Sequence, residues 1–222
     1  MQIQTVGIIG AGTMGNGIAQ ACATSGINVV MVDISEAAVQ KGLATVAGSL
    51  DRLIKKEKIT AADKEAALAK IKVSTDYSAL KAAQLVIEAA TENEALKVKI
   101  LQEVDTLVGP EVLIASNTSS ISITKLAAVT GRADKFIGMH FFNPVPMMAL
   151  VEVIRGLQTS DATHAAVQVR DDGAGFDPAG VGPTSHGLAG MRHRVEAAGG
   201  RLTITSSADS GTLISAVLPK PR

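Results

Sequence analysis

Short apolar runs alternate with amphipathic stretches through the first three-quarters of the chain. Residues 6–9, 28–32, 85–88, 112–116, 136–139 and 149–154 are runs of four to six residues rich in Val, Ile and Leu. Their length and lack of polar alternation predict strands buried on both faces. Between them the apolar period lengthens to that of a helix, over residues 13–25 and 93–107 and from Ile121 onward. Ser35 can cap a long helix whose apolar face runs through Val39, Leu43, Val46, Leu50 and Leu53 to Lys58. Thr60, with Asp63 in the first turn, can cap a second helix reaching Ile71. A parallel crossover needs only about a dozen residues, so this helical pair reads as an excursion from the sheet. Repeated strand–helix–strand units predict an α/β, Rossmann-type fold, with a mostly parallel sheet and helices on both faces. A small β-α-β-β segment follows at the C-terminal end.

The first unit carries chemistry. Gly10, Gly12 and Gly15 form G-x-G-x-x-G between the first strand and its helix, and the second strand ends at Asp33. Gly10 permits the tight turn, Gly12 lets backbone approach a pyrophosphate, and Gly15 lets helix and strand pack closely. The helix start offers unpaired N–H groups and a positive dipole end to the phosphates. Asp33 can accept from both ribose hydroxyls, and its charge repels a 2′-phosphate, which favours NAD over NADP. Glycines alone are a weak signal; strand, glycines, helix, strand and acid in order are a strong one.

Three further stretches end strands on the same side: I-E-A-A-T-E (87–92), which leads into a helix bearing Lys97; S-N-T-S-S (116–120); and G-M-H-F-F-N-P (138–144). Glu152 lies twelve residues beyond His140. A histidine beside a carboxylate is a plausible general base, since the acid orients the ring and stabilises its protonated form. Taken singly, His140 reads first as a satisfied core histidine and Ser119, with Asn117, as a cap for the helix from Ile121; clustered at successive strand ends, they become better site candidates. Lys55, Lys56 and Lys58 can meet a phosphorylated substrate or simply form a solvated helix face.

Composition narrows the classes. The 222 residues carry 21 basic and 21 acidic side chains, with no Trp, one Tyr and four Phe. No basic stripe with interleaved aromatics is present, which argues against nucleic acid. No apolar run approaches a membrane span. The first strand begins within a few residues of Met1, leaving no room for a signal peptide. The single cysteine, Cys22, reads as a small buried hydrophobe on the apolar face after the glycines rather than as a reactive thiol. Together these fit a soluble, cytoplasmic setting.

On the motifs quoted above, residues 1–166 resemble the NAD-binding domain of 3-hydroxyacyl-CoA dehydrogenases, in particular the bacterial 3-hydroxybutyryl-CoA branch. The resemblance implies an acyl-CoA substrate, with His140 taking the hydroxyl proton as hydride leaves for the nicotinamide. It implies that Glu152 pairs with His140 and that Ser119 holds the substrate oxygen. Glu92, Lys97 and Asn117 would line the NAD site, and Ser49 and Lys56 would meet the CoA portion. In such enzymes a helical domain follows, supplying the dimer interface and part of the substrate cleft. Nothing after residue 167 resembles it, so the family's dimer interface is expected to be absent and turnover to be impaired.

The last stretch differs in composition. Residues 1–167 hold twelve Lys and three Arg, whereas 168–222 hold one Lys, five Arg and nine of the 21 glycines. It reads as a strand over 167–171, then D-D-G-A-G-F-D (171–177), a Gly/Pro-rich loop, a helix ending at Gly199 and Gly200, and strands over 201–207 and 212–218. This order resembles the C-terminal half of a sensor histidine kinase ATP-binding domain. Asp171 would contact an adenine amino group, Gly173 and Gly175 would admit the nucleotide, and Gly187 would belong to a phosphate lid. The magnesium-holding asparagine helix and the phosphorylatable histidine of such kinases are missing, so kinase activity is not expected. The chain therefore reads as a chimera: an NAD-binding domain over 1–166 joined to a kinase-like fragment over 167–222.

Overall fold

A computed structural model describes residues 3–148, 150–167, 196, 201–206 and 212–217. The chain divides into two compact units, Met1–Ala166 and Val167–Arg222.

The first unit is built on a seven-stranded sheet. Its strands are β1 (Thr5–Ile9), β2 (Asn28–Val32), β3 (Ile71–Ser74), β4 (Leu85–Glu88), β5 (Leu113–Ser116), β6 (Phe136–Phe141) and β7 (Val151–Arg155). Their order is β3-β2-β1-β4-β5-β6-β7, parallel throughout except for β7, which runs antiparallel to β6. The chain moves outward from β1 through β2 to β3, then returns to the other side of β1 for β4. That reversal between β1 and β4 is the switch point of a Rossmann-type sheet, where backbone turns diverge and leave a crevice.

The helices follow the apolar periods. They are α1 (Thr13–Thr24), α2 (Glu36–Lys55), α3 (Ala61–Ala69), α4 (Glu94–Leu107), α5 (Ile123–Ala127) and α6 (Asp161–Ala166). Ser35 caps α2 by accepting from the Ala38 N–H, and Thr60 and Asp63 form a reciprocal capping box on α3. On α2 the buried positions are Val39, Gly42, Val46 and Leu50; Leu43 and Leu53 flank them, half-buried. Strand residues Ile9, Val32, Val86 and Ile114 pack with Ile100, Leu101 and Val104 of α4 and with Leu126 and Phe136 in one core. Each such side chain contributes about 1.5–3 kcal/mol on burial.

Three expectations are corrected. The α2–α3 pair is not an excursion from the sheet: it is the crossover from β2 to β3, whose residues pair in parallel from Val29↔Ile71 to Val32↔Ser74. Ile71, expected to end a helix, opens that edge strand. Asn117 and Ser119 do not cap α5 either; Ser122 does, while the Thr118 hydroxyl accepts from the Ser120 and Ile121 N–H groups.

Within the second unit, β8 (Arg201–Ser206) and β9 (Thr212–Val217) form an antiparallel pair running from Arg201↔Val217 to Ser206↔Thr212. Two strands were expected there. Of the expected tail helix, Glu196 is described and is helical.

Candidate functional site

The Gly-rich turn is shaped by steric need. Gly10 has φ +98°, and a Cβ on it would lie 2.6 Å from the Ala90 Cα. A Cβ on Gly15 would lie 1.7 Å from the Gly10 carbonyl oxygen, so only glycine allows α1 to start against β1. Gly12 is different. Nothing lies within 4 Å of where its Cβ would stand, so its missing side chain opens space rather than relieving a clash. Gly12 is also the N-cap of α1, and no side chain caps the helix there. Free first-turn N–H groups facing an open cleft suit an anion.

Asp33 stands at the end of β2, half-buried. The Ala11 N–H donates to its Oδ2 and the Ile34 N–H to its Oδ1, each at 2.7 Å. These bonds fix the carboxylate beside the Gly-rich turn and leave each oxygen a further lone pair for a ribose hydroxyl. Gly42 on α2 lets that helix press against the same turn, since a Cβ there would come within 2.8 Å of the Ala11 oxygen.

Between the ends of β1 and β4 lies a cleft of about 250 Å³, lined by Gly12, Thr13, Met14, residues 89–92, Lys97 and Asn117. The expected cofactor residues Gly12, Glu92, Lys97 and Asn117 therefore meet around one space. Glu92 is exposed and accepts from the Thr118 hydroxyl at 2.8 Å and the Ser119 N–H at 3.1 Å, tying the β4 and β5 turns together. Asn117 Oδ1 accepts from the Phe141 N–H at 2.8 Å, linking the end of β5 to the residue after His140. Ser119 is exposed.

Lys97 is not the free cation that a cofactor ligand suggests. It is buried and ion-paired with Glu88, which is also buried, and it donates to the Ser116 hydroxyl at 3.2 Å. Glu88 was not among the expected site residues. A signal was present: Lys97 occupies the apolar stripe of α4 with Ile100, Leu101 and Val104, a position that demands a buried counter-charge.

His140 and Glu152 are directly opposed in the β6–β7 register, and His140 Nδ1 lies 2.9 Å from Glu152 Oε2. A carboxylate oxygen accepts, which assigns the ring proton to Nδ1 and leaves the Nε2 lone pair free to take a proton. Phe142 packs on the ring at 4.7 Å, and the imidazole retains 20 % exposure, enough for a substrate to reach it.

Ser49 and Lys56 lie on α2 and at its C-cap, seven residues apart and so on nearly the same helix face. Lys56 is exposed and Ser49 half-buried. Cys22 keeps some residue exposure, yet burial of its surroundings pushes the thiol up to about 12, as suits a packing residue. The positions expected to form a vestigial ATP site, Asp171, Gly173, Gly175 and Gly187, lie outside the described residues. Among the described residues no cluster of three or more His, Cys, Asp or Glu is placed to hold a metal, and no helix is long and apolar enough to cross a membrane.

A glycine-cradled helix start, with the Asp33 carboxylate one strand away at the switch point, fits the first unit to a dinucleotide. Residues 5–170 match the family described as 3-hydroxyacyl-CoA dehydrogenase, NAD binding domain. The chain belongs to that family, and its cofactor is NAD. A 3-hydroxybutyryl-CoA dehydrogenase of Bradyrhizobium diazoefficiens is 49% identical over 164 residues, covering 74% of this chain and 56% of the relative. A probable 3-hydroxybutyryl-CoA dehydrogenase of Deinococcus radiodurans is 46% identical over 172 residues, covering 78% and 62%. The crystal structure of (S)-3-hydroxybutyryl-CoA dehydrogenase from Ralstonia eutropha superposes with a TM-score of 0.74 at 78% identity, covering 75% of this chain and 59% of that one. The chain thus spans less than two thirds of each of these relatives.

Proposed function

We propose that this chain carries the NAD-dependent hydride-transfer site of a short-chain 3-hydroxyacyl-CoA dehydrogenase, acting between 3-hydroxybutyryl-CoA and acetoacetyl-CoA. The observation that carries the reading is the His140–Glu152 pair across β6 and β7, with β6 two places beyond β4 at the NAD cleft. NAD, when bound, supplies the hydride acceptor. In the oxidation direction, His140 Nε2 takes the hydroxyl proton, the C3–H pair leaves as hydride, and the C3–O bond becomes a carbonyl. Glu152 holds the ring with Nδ1 protonated and stabilises the imidazolium that forms. Ser119 donates to the substrate oxygen. Glu92, Lys97 and Asn117 shape the nicotinamide half of the cleft, Asp33 takes the adenosine ribose, and Ser49 and Lys56 meet the CoA portion.

Turnover is proposed to be impaired. The chain matches the Bradyrhizobium and Deinococcus relatives over 56% and 62% of their own length, and misplacing a substrate by about 1 Å costs about a hundredfold. The same observation favours a second reading, a catalytically silent NAD-binding module or scaffold. For residues 167–222 we propose a separate segment resembling part of a histidine kinase ATP-binding domain, without kinase activity. It is supported by the change in Lys, Arg and Gly usage and by the unit boundary after Ala166.

NADH consumption with acetoacetyl-CoA, beside an NADH titration on the same preparation, tests the reading. Turnover that vanishes in His140→Ala supports the enzyme. Binding without turnover selects the silent module, and neither would leave a scaffold.

A further inference from the structure

At the floor of the NAD cleft lies an ion pair that the proton and hydride steps do not use. Glu88 ends β4 and is wholly buried; Lys97, near the start of α4, is 1% exposed. The Lys97 ammonium donates to Glu88 Oε2 and to Ser116 Oγ, the Ser116 hydroxyl donates to Glu88 Oε2 at 2.9 Å, and the Ala90 N–H donates to Glu88 Oε1 at 3.0 Å. An ammonium has three donors. Two are engaged in this network, and Lys97 also lines the cleft with Glu92 and Asn117.

Stability alone is a poor reason for the arrangement. A buried ion pair gains little over well-packed apolar side chains of similar volume, and the rest of β4 is Leu85, Val86 and Ile87. Location supplies a better reason. The Gly-rich turn after β1 and Asp33 after β2 would hold the phosphate and adenosine portions on one side of the switch point. His140 on β6 lies on the other side, so on the proposed reading a bound nicotinamide would extend over the ends of β4 and β5 to meet a substrate there. Glu88, Lys97 and Ser116 stand at those ends. Of the two cofactor forms, only the oxidised ring carries a positive charge.

We propose that Glu88 is a positioning residue whose charge, acting through Lys97, sets the relative affinity of the cleft for oxidised and reduced NAD. With the pair intact, the floor is neutral and the two ring forms meet a similar field. The proposal rests on the reading that the nicotinamide faces His140.

The test measures dissociation constants for NAD⁺ and NADH on the full chain in four forms: wild type, Glu88→Gln, Lys97→Met and the double variant. Glu88→Gln keeps an acceptor for the Ala90 N–H but leaves the ammonium without its counter-charge. NAD⁺ should then weaken about tenfold more than NADH, as expected for a partly screened like charge in the wall of the cleft. Lys97→Met leaves a buried carboxylate, and the ratio should move the opposite way. The double variant, neutral again, should return the ratio to within about twofold of wild type. Should thermal unfolding show that Lys97→Met does not fold, Glu88→Gln and the double variant decide alone. Equal weakening of both cofactors in every variant would reduce the network to a structural role and overturn the proposal. Loss of NADH binding by the wild type would instead overturn the cofactor site itself.

Discussion

His140 and Glu152 are register partners across the β6–β7 ladder, with Nδ1 and Oε2 2.9 Å apart. Directly opposed residues on an antiparallel pair project to the same face, so a twelve-residue separation in sequence becomes a hydrogen bond. The pairing depends on β7 reversing direction at the edge of an otherwise parallel sheet. A one-residue slip would send Glu152 to the opposite face and leave the imidazole without its carboxylate.

Glu152→Gln should therefore lower kcat by about 10²–10⁴-fold, because an amide can offer its NH₂ to Nδ1 and reverse the tautomer. NADH affinity should not change, since Glu152 does not line the nucleotide cleft. Steady-state kinetics beside a fluorescence titration of NADH separate the two quantities.

Gly12→Ala and Gly15→Ala should behave oppositely. The Gly15 methyl would meet the Gly10 oxygen at 1.7 Å, and the variant should lose about 3 kcal/mol or more of stability. The Gly12 methyl meets nothing in the protein, so the melting temperature should hold. It would fill the approach to the α1 start, and NADH binding should fall by at least about tenfold. Thermal melts and NADH titrations of both variants check the contrast.

Asp33→Ser should weaken NADH roughly ten- to a hundredfold, as expected for loss of hydrogen bonds to a charged acceptor. It should also narrow the preference for NADH over NADPH, since the carboxylate that repels a 2′-phosphate is gone. Parallel titrations with the two cofactors give the ratio.

The Cys22 thiol, pushed up from 9.0 to about 12 by burial, should resist alkylation at pH 8 until the protein unfolds. Its folded state holds the proton more tightly than its unfolded state. Its stabilising contribution is therefore full below about 9 and is lost as pH rises toward about 12. Urea unfolding at pH 7 and pH 10 should show a steeper loss in wild type than in Cys22→Ala.

Local signals made much of this architecture legible. The Ser35 cap and the Thr60–Asp63 box each depend on residues within a few positions of one another, and the β1–α1–β2 unit is one contiguous stretch of sequence. What escaped was non-local. Strand β3 is four residues long with one buried position, Ile71, and it exists because β2 offers it a parallel partner. The caps assigned to Asn117 and Ser119 failed for a related reason. Asn117 Oδ1 accepts from the Phe141 N–H, a donor brought there by β5–β6 pairing, and the capping falls to Ser122. The Glu88–Lys97 pair joins a strand end to a helix stripe. A lysine among apolar helix positions hinted at it, but its partner emerges only when β4 and α4 are packed together.

Deuterium transfer tests the central claim most directly. NADH carrying deuterium on both faces of nicotinamide C4 is incubated with acetoacetyl-CoA and the full chain, and the product is analysed by mass spectrometry. The account predicts 3-hydroxybutyryl-CoA with one deuterium at C3, formed at a rate that falls by about 10²–10⁴-fold in His140→Ala. Labelled product at the same rate from His140→Ala, or none from a wild type that binds NADH, would contradict it.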